Sequence, residues 1–126
     1  MGTRSAIGFA EFDGSVRAIY CHYDGYLEHN GRILNEYYNS IEALEELLDM
    51  GDVVSLESTL DGCKFFGRDN KENIARVAAK DFKNVSEFFE HYSNMGCEYF
   101  YLFDGEQWLV GDFNGAFRLL EIKSAA

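Results

Sequence analysis

With 126 residues, 47% of them hydrophobic and 16% aromatic, the chain is long enough for one domain with its own core and too apolar for a disordered polyelectrolyte. Its 11 basic and 22 acidic residues give a formal net charge of -11, which disfavours nucleic acid and anionic lipid as direct partners and favours basic ones. No apolar run approaches the ~18 residues of a membrane span and residues 1–5 lack the apolar stretch of a signal peptide, so the expected location is the cytoplasm.

The stretch VRAIYCHYDGY, residues 16–26, is rich in β-branched and aromatic types and ends in an Asp-Gly turn, as a central strand does. Residues 5–12 form a second strand candidate upstream, and Asp13-Gly14 between the two predicts an opening β-hairpin. In residues 28–38, Ile33, Leu34, Tyr37 and Tyr38 share one helical stripe, which predicts a short helix starting near Asn30. Ser40 is then placed to cap a second helix. Ile41, Leu44, Leu47 and Leu48 supply its apolar face, Glu42, Glu45, Glu46 and Asp49 its acidic one, and Gly51 the left-handed residue that stops it.

Residues 53–60 read as strand or irregular connection, Asp61-Gly62 as a turn, 63–66 as a short strand and 67–72 as polar and turn-like. The segment 73–80, NIARVAAK, fits neither the helical nor the strand period. Periodicity returns at 84–94, where Asn84 or Ser86 is a cap, Val85, Phe88, Phe89 and Tyr92 form a stripe, and Gly96 ends the helix. Residues 97–103, 107–110 and 116–123, separated by Asp104-Gly105 and 111–115, predict a closing three-stranded antiparallel meander. Strands at both ends with helices between them give a single α+β domain over residues 1–126, with about three helices on one face of a mostly antiparallel sheet. Asp-Gly recurs at 13, 24, 61 and 104, as a hairpin turn used repeatedly rather than as an internal repeat.

The chemistry-bearing residues form no recognised catalytic signature, and no phosphate-cradling glycine motif occurs. Cys21, Cys63 and Cys97 have no C-x-x-C spacing and read as free, mostly buried thiols. Cys21 and His22 point to opposite faces of a strand, while His22, Asp24 and His29 lack metal-site spacing, so neither a metal nor a cofactor is expected and the chain reads as a non-enzyme. Between 64 and 83 six bases stand against three acids, a stretch suited to pairing with acidic surface. Between 41 and 60 the balance reverses to six acids and no base.

Four patches carry a resemblance. They are Gly2-Thr3-Arg4-Ser5-Ala6-Ile7-Gly8; Ile19-Tyr20-Cys21-His22-Tyr23-Asp24-Gly25-Tyr26; Gly31-Arg32-Ile33-Leu34 with Leu48-Asp49-Met50-Gly51-Asp52-Val53; and Glu98-Tyr99-Phe100-Tyr101-Leu102-Phe103 with Trp108. Together with Phe66-Gly67-Arg68-Asp69 they resemble a family of small bacteriophage and prophage proteins, in which Tyr23 is typically Trp. The resemblance implies a phage or mobile-element origin and assigns no activity.

Charge and implied origin together predict an inhibitor of a bacterial defence system, of anti-CRISPR or antirestriction type. Glu42, Glu45, Glu46, Asp49 and Asp52 would imitate a phosphate backbone before a basic nucleic-acid-binding surface, with Tyr37 or Tyr38 as aromatic anchors at the rim. The alternative is a small-molecule or nucleotide-binding protein with a pocket at the end of the second strand. There Arg4 and Arg68 would hold an anion beside His22, Asp24 and Tyr26.

Overall fold

The computed structural model describes residues 3–69, 77–112 and 114–121. Residues 70–76, which include Lys71 and Arg76, lie outside the described residues, as do Phe113 and the tail beyond 121.

The opening hairpin forms as expected, from β1 (Ser5–Ala10) and β2 (Val16–Cys21) paired antiparallel from Ser5↔Cys21 to Ala10↔Val16. A π-helical turn, Leu27–Gly31, leads into α1 (Arg32–Tyr37). The wide turn buries Asn30, whose side-chain amide donates to Ser5 Oγ, Cys21 Sγ and the Tyr23 carbonyl, so the first helical turn is tied to the hairpin.

Helix α2 (Ile41–Asp49) starts where Ser40 Oγ accepts from the Ala43 N–H at 3.1 Å. It stops at Gly51, whose φ of +83° and 2.6 Å from a would-be Cβ to the Val77 carbonyl oxygen leave room for no other residue. Then come β3 (Val53–Ser55), β4 (Lys64–Phe65), α3 (Phe66–Asp69) and β5 (Lys80–Phe82). Helix α4 (Val85–Asn94) is capped by Asn84 Oδ1 on the Glu87 N–H. Strands β6 (Tyr99–Phe103), β7 (Trp108–Gly111) and β8 (Phe117–Leu119) form the expected meander.

The eight strands of the described residues join one mixed, mostly antiparallel sheet in the order β4-β3-β2-β1-β6-β7-β8, with β5 also on β2. The fold is thus α+β as expected, but its layering differs in one respect, because the helices take both faces rather than one. Alternation along the strands decides this. Ile7, Ile19, Cys21, Tyr101 and Phe103 face a cluster shared with Leu34 of α1 and Leu44, Leu47 and Leu48 of α2. Ala6, Ala18, Tyr20, Phe100 and Leu102 face a second cluster shared with Phe88 and Tyr92 of α4. A sheet covered on both sides holds the central pair β1 and β2 in dry surroundings, which is why their sequences are so apolar.

Two features of the topology position the charged groups of the molecule. First, β1 runs parallel to β6, with Phe9 opposite Phe103, so the hairpin tip 11–15 and the turn 104–107 emerge at the same end of the sheet. Second, the outer edge of β2 is divided between two strands. Val16–Ala18 pair antiparallel with β5, and Cys21 pairs parallel with Val53 of β3. The two strands start at the gap and run apart from it.

Candidate functional site

At the end of the sheet where β1 gives way to β2, acidic side chains gather. Glu42, Glu45, Glu46 and Asp49 fall at i, i+3, i+4 and i+7 of α2, one stripe of an α-helix, and all four are exposed. Among the described residues no ion pair reaches Glu42, Glu45 or Glu46. Asp49 meets Arg17 at 3.2 Å in an exposed pair of small net worth. The first residue of α2, Ile41, lies 3.9 Å from the Cβ position of Gly105. That proximity places the start of the helix beside the β6–β7 turn, which adds exposed Asp104 and Glu106. The neighbouring hairpin tip adds exposed Glu11 and Asp13.

Both turns are held by their own carboxylates. Asp104 Oδ1 accepts from the Glu106 and Gln107 N–H groups, and Asp13 Oδ1 accepts from the Ser15 N–H and hydroxyl. The Ser15 hydrogen bonds hold the Asp13 carboxyl below the ordinary carboxylate range, so it stays charged. Three apolar side chains stand out among the acids: Phe12, fully exposed at the hairpin tip, Ile41 and Tyr37. Tyr38, the other anchor suggested by sequence, is buried, and its hydroxyl donates to the Glu57 carbonyl.

Asp52 does not belong to this surface. Sequence proximity to Asp49 grouped it with the acidic flank, but Gly51 turns the chain inward and Asp52 is only 8% exposed. It sits where the edge of β2 divides. Its Oδ1 accepts the Tyr20 N–H at 2.9 Å, in place of the strand carbonyl that neither β3 nor β5 supplies there. Its own N–H donates to the Val77 carbonyl and its carbonyl accepts from the Phe66 N–H, so it is fixed on three sides. Burial pushes its carboxyl up to about 6, against the lowering effects of the Tyr20 N–H and Lys80.

A crevice of about 400 Å³ opens beside it, lined by Tyr20, Asp52, Phe66, Val77, Lys80, His91 and Met95. The Tyr20 hydroxyl shares a 2.8 Å hydrogen bond with His22 Nδ1, and the Phe66 ring packs on both. His91 Nε2 is buried without a hydrogen-bond partner among the described residues, and burial, then Lys80, holds this imidazole below its ordinary pKa. Residues 20, 66, 80 and 91 come from four different elements and residue 52 from the turn before β3. No local pattern in the sequence joins them, and only the splitting of the β2 edge does.

The alternative pocket expected from sequence is not assembled as drawn. Arg68 folds back on its own loop, pairing with Asp69 at 2.9 Å and donating to the Leu60 and Cys63 carbonyls. Arg4 Nη1 donates instead to the Met95 carbonyl at the end of α4. Asp24, at a left-handed φ of 56°, lies beside Tyr26, whose phenol it holds above its ordinary pKa. His22 turns away to Tyr20, and His29 Nε2 to the Leu56 carbonyl. Among the described residues no group of three or more His, Cys, Asp or Glu side chains is arranged to hold a metal ion.

All three cysteines are free and buried, and burial pushes Cys21 up to about 11 and Cys97 up to about 12, so neither is a thiolate at neutral pH. No described helix is long and apolar enough to cross a membrane. Comparison with protein-family models, with curated proteins and with solved structures finds no match to this chain.

Proposed function

We propose that this chain is a non-enzymatic inhibitor that docks its acidic end on the basic nucleic-acid-binding surface of a bacterial defence complex. The observation that supports the reading is the continuity of the surface. The exposed stripe Glu42, Glu45, Glu46 and Asp49 is extended by Asp104 and Glu106, and Glu11 and Asp13 stand at the same end of the sheet. Carboxylates about 5–6 Å apart along a helix face approximate the spacing of phosphates to which a Lys/Arg-lined channel is complementary. Phe12, Ile41 and Tyr37 supply the apolar contacts that such an interface needs at its anchors, since long-range charge gives rate and register more than affinity. The link to phage rests on the motif resemblance and narrows the partner to defence nucleases and their guide complexes, of CRISPR or restriction type.

The test is made in cells. A test phage is plated on strains carrying a Cas9-type system or a restriction system, with the chain expressed in each. Restored plaques in one system, lost again in the variant Glu42→Lys/Glu45→Lys/Glu46→Lys at equal protein level, support the reading. Restoration that survives the charge reversal removes it.

A further inference from the structure

The divided edge of β2 carries a second site, independent of the acidic end. We propose that the crevice beside Asp52 binds a purine mononucleotide, with the base's N–H edge on the Asp52 carboxylate and the phosphate toward Lys80.

The crevice follows from topology. Strands β3 and β5 leave the same point on β2 in opposite directions, so among the described residues no strand pairs with β2 opposite Tyr20. Its volume of about 400 Å³ lies in the range of small-molecule sites, which run from roughly 300 to 1,000 Å³. One wall is aromatic, with the Tyr20 and Phe66 ring centroids 6.4 Å apart and His22 edge-on to Phe66 at 6.1 Å. Such a wall suits a planar ring. Val77 and Met95 complete the apolar lining.

The polar groups narrow the ligand further. Asp52 is more than nine-tenths buried and locked by three hydrogen bonds, a prepositioned acceptor of the kind that selects for N–H donors. At neutral pH it is mainly ionised, since its carboxyl titrates near 6. Lys80 brings a positive charge to the same crevice, and His91 Nε2 is a buried ring nitrogen for which a ligand atom would be the missing partner. A wholly apolar ligand would leave the buried His91 nitrogen without a partner, and a bare anion would be repelled by Asp52. A planar heterocycle with donors on one edge and an anion on the other meets both charges. Guanine fits the ionised carboxylate better than adenine, because it presents two adjacent donors on that edge.

The experiment is an NMR titration of the full chain with guanosine 5′-monophosphate, and with adenosine 5′-monophosphate, guanosine and ribose 5-phosphate as comparisons. Saturable shifts are expected at Tyr20, Asp52, Phe66, Lys80 and His91 with the guanine nucleotide, weaker ones with the adenine nucleotide and with guanosine, and none with the sugar phosphate. Asp52→Asn is expected to raise the Kd for the guanine nucleotide about tenfold or more, and Lys80→Met to weaken the nucleotide while leaving guanosine unchanged. Should Asp52→Asn fail to fold, Phe66→Ala serves instead, with the same direction expected. The proposal is overturned by no saturable shift with either nucleotide up to about 5 mM, a range far weaker than useful recognition. It is equally overturned by shifts centred elsewhere, by adenine preferred over guanine at pH above 7, or by unchanged affinity in both Asp52→Asn and Phe66→Ala. None of these outcomes depends on the acidic end, so this site and the inhibitor reading stand or fall separately.

Discussion

The acidic end and the split edge of β2 both contain carboxylates from one short run of sequence, yet they behave as opposites. Glu42, Glu45, Glu46 and Asp49 are exposed on a helix whose period places them together, and solvent screens them. Asp52, three residues beyond Asp49, is buried, hydrogen-bonded to a strand edge and shifted to about 6. A single glycine separates the two regimes. Charge in sequence is therefore not charge at a surface, because the turn at Gly51 decides which side of the boundary an acid falls on.

Breaking the exposed side of the comparison should give the largest effect. Reversing Glu42, Glu45 and Glu46 to lysine is expected to weaken partner binding about a hundredfold or more at low salt with little change in melting temperature, measured by titration calorimetry and thermal unfolding. Next comes the boundary itself. Gly51→Ala forces an L residue to φ +83° with its Cβ against the Val77 carbonyl, and is expected to cost about 2–4 kcal/mol by denaturant unfolding.

The buried side is sharpened by Asp52→Asn. The folded carboxyl lies above its ordinary value of 3.8, so ionising it opposes folding. That penalty is complete above about pH 6 and disappears as pH falls through 6 towards the unfolded value. The asparagine variant is therefore expected to exceed the parent in stability by about 3 kcal/mol near pH 8 and to match it near pH 3, below the unfolded value. Ser40→Ala, which removes the α2 cap, should cost about 1 kcal/mol. Smallest of all, Arg17→Met breaks the exposed pair with Asp49 and is expected to change stability by less than about 0.5 kcal/mol.

The same contrast explains what was legible in the sequence. The hairpin, the caps at Ser40 and Asn84, the stop at Gly51 and the closing meander are local signals, and each is found where the residues place it. The acidic stripe is local too, since helical period alone assembles Glu42, Glu45, Glu46 and Asp49. What sequence did not disclose depends on pairing over long separations. The parallel contact of β1 with β6 spans ninety-four residues at Ser5↔Tyr99, and it brings the two acidic turns to one end. The short strand Lys80–Phe82 carries no strand signal of its own and exists because the lower edge of β2 needs a partner. Placing Asp52 on the acidic flank and Arg68 in a pocket failed for one reason. Both side chains are claimed by backbone groups, Asp52 by the Tyr20 N–H from across the fold and Arg68 by the Leu60 and Cys63 carbonyls of its own loop. Helices on both faces of the sheet were likewise hidden, because an amphipathic stripe says that a face is covered and not which one.

The claim that the acidic end takes the place of nucleic acid is tested most directly by competition on a purified defence complex that the chain inhibits. Labelled target DNA is bound to the complex and the chain titrated in, at salt from about 50 to about 300 mM. Mutual exclusion is expected, with DNA released in proportion to chain bound and the affinity of the chain falling steeply as salt rises. A ternary complex of nuclease, DNA and chain, with affinity flat in salt, would contradict it.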